Sequence, residues 1–198
     1  MPNATLVLDR STSSQTAALY DGEALVAEVA LSSTWCIDVI NLLGGGVPER
    51  IVVGIGPGSF AGIRSTLAFA QGCTLGANVE LRGIVSPAAF AREGETVAVI
   101  GDARRGKFWV ALFDAFKPAR EIFQVAEPDL PAAIPAEASV VSPDASRIGA
   151  TLASLFPSRY AAAPELKASD LHRAFTANPS LLVPEPLPVY LNPAVRFD

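Results

Sequence analysis

Ile51-Val-Val-Gly-Ile-Gly-Pro-Gly-Ser-Phe-Ala-Gly-Ile-Arg64 decides the fold of this 198-residue chain. The apolar run Ile51 to Ile55 predicts a buried strand. Gly56 and Gly58 allow backbone angles closed to residues with side chains, and Pro57 stiffens the turn between them. Ser59 stands at an N-cap position, ahead of a helix that starts at Phe60. A strand–glycine–helix joint presents free N–H groups, which suits an anion. The standard phosphate loops do not match, however. A Walker loop needs Gly-Lys-Ser/Thr, and no lysine occurs between Arg50 and Lys107. Gly62 falls too late for a Gly-x-Gly-x-x-Gly fingerprint. A nucleophile elbow fails because Gly58 abuts Ser59. The spacing alone therefore favours a tight structural turn.

Working outward, the chain repeats a plan. Apolar Leu6–Leu8 ends at Asp9, a polar turn follows, and strands are predicted over 16–20 and 24–31 around the turn pair Asp21-Gly22. Val97–Ile100 leads to Asp102, then strands over 107–113 and 122–125. Asp9 and Asp21 lie 12 positions apart, as do Asp102 and Asp114. Helices are predicted over 34–43, stopped by Gly44-Gly-Gly46, and over 60–75, 88–93, 144–156 and 165–177. Strands are expected at 81–85 and 140–141, with irregular chain over 128–143 and an extended Pro184–Pro188 tail. Strands alternating with helices give an α/β fold. Its two halves each open with a three-strand meander, and this duplicated plan resembles the actin-like ATPase fold. The expected subdomains are 1–100 and 101–198, with the boundary near 94–102 and the helix 165–177 free to pack back on the first.

The glycine motif Gly56, Pro57, Gly58, Ser59, Phe60, Gly62 and Arg64 also resembles the signature of the TsaB (YeaZ) family. It is followed by Ala70-Gln-Gly72, Leu75-Gly-Ala77 and Gly83-Ile-Val-Ser86. Asp9-Arg-Ser-Thr12, Asp102-Ala-Arg-Arg-Gly106 and Pro188-Val-Tyr-Leu191 resemble further family elements, in the family's order. The resemblance implies an actin-like (ASKHA) fold and a non-catalytic subunit of the bacterial machinery that makes threonylcarbamoyladenosine in tRNA. It implies a TsaD-type catalytic subunit as partner, a TsaE-type ATPase as a second, and only indirect contact with tRNA. Three departures stand out. Arg10 replaces a small residue, Ala61 replaces Thr, and the first helix opens Ser32-Ser-Thr34-Trp35 with a shortened link to the next strand.

Composition narrows the function classes. A net charge of -5 and a pI near 4.9 argue against a chain that grips nucleic acid unaided. Cys36 and Cys73 form no pair or C-x-x-C motif, which fits a reduced cytoplasmic setting, and both are expected to be buried and inert. Neither a secretory signal nor a membrane-spanning run is read. His172 is the single histidine and is expected on a helix surface, so no metal site is expected. A serine nucleophile would lack a ready base, so no catalytic residue is assigned.

Asp9, Ser11 and Thr12 could form the first phosphate turn of an actin-like ATPase, with Asp102 as its counterpart in the second half. The second half lacks a Gly-Gly phosphate loop, so this turn is expected to be vestigial. No cofactor is expected, and any nucleotide would be confined to a subunit junction. The alternatives are an actin-like ATP-dependent kinase, a peptidase-like hydrolase, or a homodimeric module without a tRNA role.

The two helices flanking the Ile51 strand carry the partner expectation. Seven of the ten residues from Thr34 to Leu43 are apolar, so more than one face needs cover. Ala68, Gly72 and Gly76 form a stripe of small residues, read equally as tight packing on the sheet or as a partner contact. In the TsaB family the two helices meet the matching pair of TsaD. The expected patch is Trp35, Val39, Ser65, Phe69 and Cys73, with self-pairing into a homodimer when the partner is absent.

Overall fold

The computed structural model describes residues 3–162 and 165–191. Two compact units divide the chain, one of Met1–Ala89 with Leu166–Val189 and the other of Phe90–Glu165 with Tyr190–Asp198.

In the first unit, β1 (Ala4–Asp9), β2 (Thr16–Asp21) and β3 (Ala24–Ala30) form the predicted meander. α1 (Trp35–Leu43) follows and ends where Gly44 turns left-handed at φ 55°. β4 (Arg50–Gly54), α2 (Phe60–Gly76) and β5 (Glu80–Ile84) complete the sheet, in the order β3-β2-β1-β4-β5. β1 pairs antiparallel with β2 and parallel with β4. Alternation along β1 sends Leu6 and Leu8 into a core shared with Ile51 and Val53 of β4, Val39 of α1, and Ile63, Leu67 and Ala70 of α2. α1 and α2 thus lie on the same face of this sheet. Each fully buried large side chain contributes about 1.5–3 kcal/mol to holding them there.

The second unit repeats the plan. β6 (Thr96–Arg104) and β7 (Lys107–Asp114) pair antiparallel, and β7 also pairs with the short β8 (Lys117–Pro118) and with β9 (Phe123–Ala126). α3 (Leu130–Ala133) is a single turn inside the stretch expected to be irregular. β10 (Ser139–Val141) then pairs parallel with β6, as β4 does with β1. α4 (Ala145–Leu155) packs Ile148 and Leu152 into this unit's core.

α5 (Ala168–Ala177) returns to the first unit. Its Ala168 N–H donates to Thr16 Oγ1 at 2.8 Å, and Ser169 donates to the Glu28 carboxylate from both N and Oγ. The division at Phe90 precedes β6, so the expected border at 100/101 falls inside that strand. The helix expected over 88–93 is a 3₁₀ turn over Ser86–Phe90.

His172 is not a plain surface residue. Its ring stacks on Tyr20 at 3.5 Å and meets Phe175 edge-on at 4.8 Å. Cys36 is exposed rather than buried, because α1 turns that position away from the sheet; Cys73 is half-buried.

Candidate functional site

The glycine motif owes its composition to close packing against the β1–β2 loop. Ser59 caps α2 by accepting the Gly62 N–H, and its own N–H donates to Ser11 O at 2.7 Å. Gly58 has φ +158°, and a Cβ there would overlap Ser11 O; a Cβ on Gly62 would overlap Arg10 O. Backbone therefore touches backbone where the turn meets the loop, and no larger residue fits without displacement.

The same packing encloses Asp9, which is fully buried. Its Oδ1 accepts the Ser11 N–H at 2.8 Å and the Ser11 hydroxyl at 2.7 Å, and its Oδ2 accepts the Ser86 hydroxyl at 2.5 Å. Ser86 Oγ in turn accepts the Gly56 N–H at 3.1 Å. A Cβ on Gly54 would overlap Asp9 Oδ2. Burial pushes the Asp9 carboxyl above its ordinary value, against the opposing pull of the Ser86 and Ser11 bonds. Thr12 Oγ1 donates to Ser14 O at 3.0 Å and closes the loop on itself. The actin-like ASKHA fold implies a nucleotide with a divalent ion near such an aspartate. These residues do not fit that group, because both carboxylate oxygens are bonded within the chain and Gly54 backs directly onto one of them.

Asp102 is bound up differently, in the second unit. Its N–H donates to Asp144 Oδ2 at 2.9 Å, and its Oδ1 accepts the Arg104 N–H at 2.7 Å. Arg104 and Arg147 stand 3.3 and 3.6 Å from its Oδ2. Arg105, with φ 55°, forms the exposed tip of the β6–β7 hairpin. Among the described residues, no group of three His, Cys, Asp or Glu is placed to hold a metal ion.

The remaining candidate is the outer surface of α1 and α2. Arg10 joins the two helices. Its Nε donates to Gln15 Oε1 and its Nη1 to Ser65 Oγ, both at 2.7 Å, and its guanidinium lies 4.3 Å over the Trp35 ring. Trp35 meets Phe69 edge-on at 5.3 Å. Partial burial pulls the Arg10 guanidinium below its ordinary value, and nearby Cys36 opposes this. Trp35, Ser65, Phe69 and Cys73, expected as an outward patch, are half-buried along this seam.

Val39 requires correction. It is 0% exposed and belongs to the core under α1, because the sheet takes that side of the helix. The exposed apolar side carries Ile37 at 56% and Ile40 at 53%. On α2 the exposed residues are Phe60, Ala61, Arg64, Ala68, Gln71, Gly72, Leu75 and Gly76, with Leu75 91% exposed. A Cβ on Gly72 or Gly76 would meet nothing within 4 Å, so the small-residue stripe faces outward and does not pack on the sheet. Ile37 and Ile40 carried no distinguishing signal in a helix apolar nearly all round. The i, i+4 relation of Ala68, Gly72 and Gly76 was the one pattern that marked the outer face.

Comparison with known proteins agrees with this architecture. The sequence model of the family described as TsaD, tRNA N6-adenosine threonylcarbamoyltransferase, matches residues 47–133. No curated protein matches the chain. Among solved structures, YeaZ from Pseudomonas aeruginosa superposes with a TM-score of 0.73 at 21% identity, over 94% of this chain and 100% of its own. A protein described as uncharacterized, with similarity to peptidase YeaZ from Pseudomonas aeruginosa, gives 0.66 at 19% identity, over 96% and 100%. The ethanolamine utilization protein EutJ from Carboxydothermus hydrogenoformans gives 0.52 at 12% identity, over 86% and 88%. The fold is therefore the duplicated actin-like one. No helix among the described residues is long and apolar enough to cross a membrane. Residues 47–133 thus form a stretch similar to the TsaD family, in a chain whose fold is like that of YeaZ.

Proposed function

We propose that this chain is a non-catalytic subunit that docks a TsaD-type catalytic subunit and supports threonylcarbamoyl transfer to adenosine in tRNA. The observation that carries the reading is the outer face of α1 and α2. Ile37 and Ile40 stand more than half exposed on α1 and the glycine stripe of α2 is open, on a fold shared with YeaZ. Large apolar side chains next to small ones let a second pair of helices approach closely and lose water. The matched family description supplies the reaction in which such a partner would act. A TsaE-type ATPase would join the assembly, tRNA would be reached through the catalytic subunit, and the setting would be the cytoplasm.

That description names a transferase, which favours a second reading in which this chain itself catalyses. The residues support it poorly. Asp9 is enclosed, and the single histidine is stacked on Tyr20. We propose accordingly that the chain binds no nucleotide or metal of its own. Reconstitution separates the two readings. The chain should form no threonylcarbamoyladenosine and hydrolyse no ATP alone, and it should raise modification when added to the TsaD-type subunit of the same genome. Activity of the purified chain alone, abolished in Asp9→Ala, would show that it is the enzyme.

A further inference from the structure

The charges on the proposed docking face are unbalanced. α2 has no acidic residue along its 17 positions. α1 has one, Asp38, and its Oδ2 already accepts the Ser32 N–H and hydroxyl, both at 2.7 Å. Against it stand two arginines. Arg64 is exposed and lies 4.8 Å over the Phe60 ring. Arg10 donates instead to the neutral side chains of Gln15 and Ser65. Among the described residues, neither guanidinium has a carboxylate within ion-pair distance, a condition shared with Arg105, Arg120 and Arg159, whereas Arg50, Arg82, Arg92, Arg104, Arg147 and Arg173 are paired. In a chain of net charge -5 this is a local excess of positive charge on an apolar surface.

Docking withdraws water from such a surface. A guanidinium that loses water without gaining a carboxylate is costly, and charge complementarity fixes partner choice and encounter rate more than it fixes raw affinity. We propose that the TsaD-type surface which docks on α1 and α2 is acidic and presents carboxylates to Arg64 and Arg10, so that charge selects that partner over a second copy of this chain. This rests on the reading of the helix pair as the docking face. A second copy would bring two more arginines and one engaged aspartate, so self-pairing would put like charges into a shared apolar contact. The homodimer expected from the sequence is thereby disfavoured.

The test is calorimetric binding of the full chain to the TsaD-type subunit of the same genome, at low and high ionic strength, with sedimentation of each chain alone. Wild type should bind, and more weakly as salt rises. Arg64→Glu should weaken binding about tenfold or more and Arg64→Ala by less, both with unchanged melting because the side chain is exposed. Arg64→Glu should also self-associate more readily than wild type, since it offers a carboxylate to its own arginines. Wild-type binding that is insensitive to salt and to the sign at position 64 would overturn the charge inference and leave the docking reading standing. A wild type that fails to bind at all would overturn both.

Discussion

Asp9 and Val39 show how a single residue is fixed by its surroundings. Asp9 is held by three donors and backed by Gly54, so it acts as a buried polar node joining the β1–β2 loop to Ser86. Val39, at 0% exposure, separates core from surface on α1. Val39→Asp should cost about 3–5 kcal/mol and unfold the first unit, because it buries an unpaired carboxylate. Ile40→Asp should leave melting within about 0.5 kcal/mol of wild type, as for a surface change, while weakening the partner complex. Thermal denaturation alongside pull-down reads both variants, and equal melting of the two would place Val39 outside the core. Gly62→Ala should destabilise by about 1–3 kcal/mol, because its methyl would overlap Arg10 O and force α2 away from the loop. Urea titration measures that shift.

The pair of α1 and α2 owes its alignment partly to Arg10. Cation–π contacts of this kind are worth about 0.5–2 kcal/mol, depending on how dry they are. The bond to Ser65 and the edge contact of Trp35 with Phe69 carry the link from the loop into both helices. Arg10→Ala should therefore raise amide exchange in α1 while leaving β1 and β4 protected. Arg10→Lys should rescue it only in part, since an ammonium lacks the planar fork that serves Gln15, Ser65 and the ring together. Hydrogen exchange resolved by element checks this, and unchanged protection of α1 would show that Val39 and Trp35 packing alone hold the helix.

For the whole molecule, stability should depend on pH through α5. His172 is half-buried between Tyr20 and Phe175, and burial pulls its pKa below the ordinary 6.5 despite the opposing charge of Glu23. Glu28, Asp170 and Arg173 also lie in this region. A folded-state pKa below the unfolded one means that the unfolded chain binds the proton more readily. The contribution is then fully present above pH 6.5 and is lost as pH falls through 6.5 toward the folded value. From neutral to mildly acid pH, wild type should lose melting temperature relative to His172→Phe, which keeps an aromatic stack without the titration, while the raised Asp9 and Asp170 carboxyls act in the opposite sense in both. Equal slopes would assign the pH dependence to the carboxylates.

The sequence by itself determined the order of the main strands and long helices, the duplication and the family resemblance, because these rest on local signals. Apolar runs set the strands, Ser59 and Gly44 set helix ends, and glycines at 56, 58 and 62 declare a joint too tight for side chains. The equal spacing of Asp9–Asp21 and Asp102–Asp114 corresponds to two meanders, each joined by a parallel fourth strand. Only the tertiary structure decided which side of α1 is buried. In a helix apolar nearly all round, periodicity has no phase to report, and the sheet chose Val39 while leaving Ile37 and Ile40 outside. Tertiary contact also gave Arg10 its place between two helices, stacked His172 on Tyr20 and exposed Cys36. Each of these depends on which distant residue arrives alongside, and the spacing of residues along the chain carries no record of that.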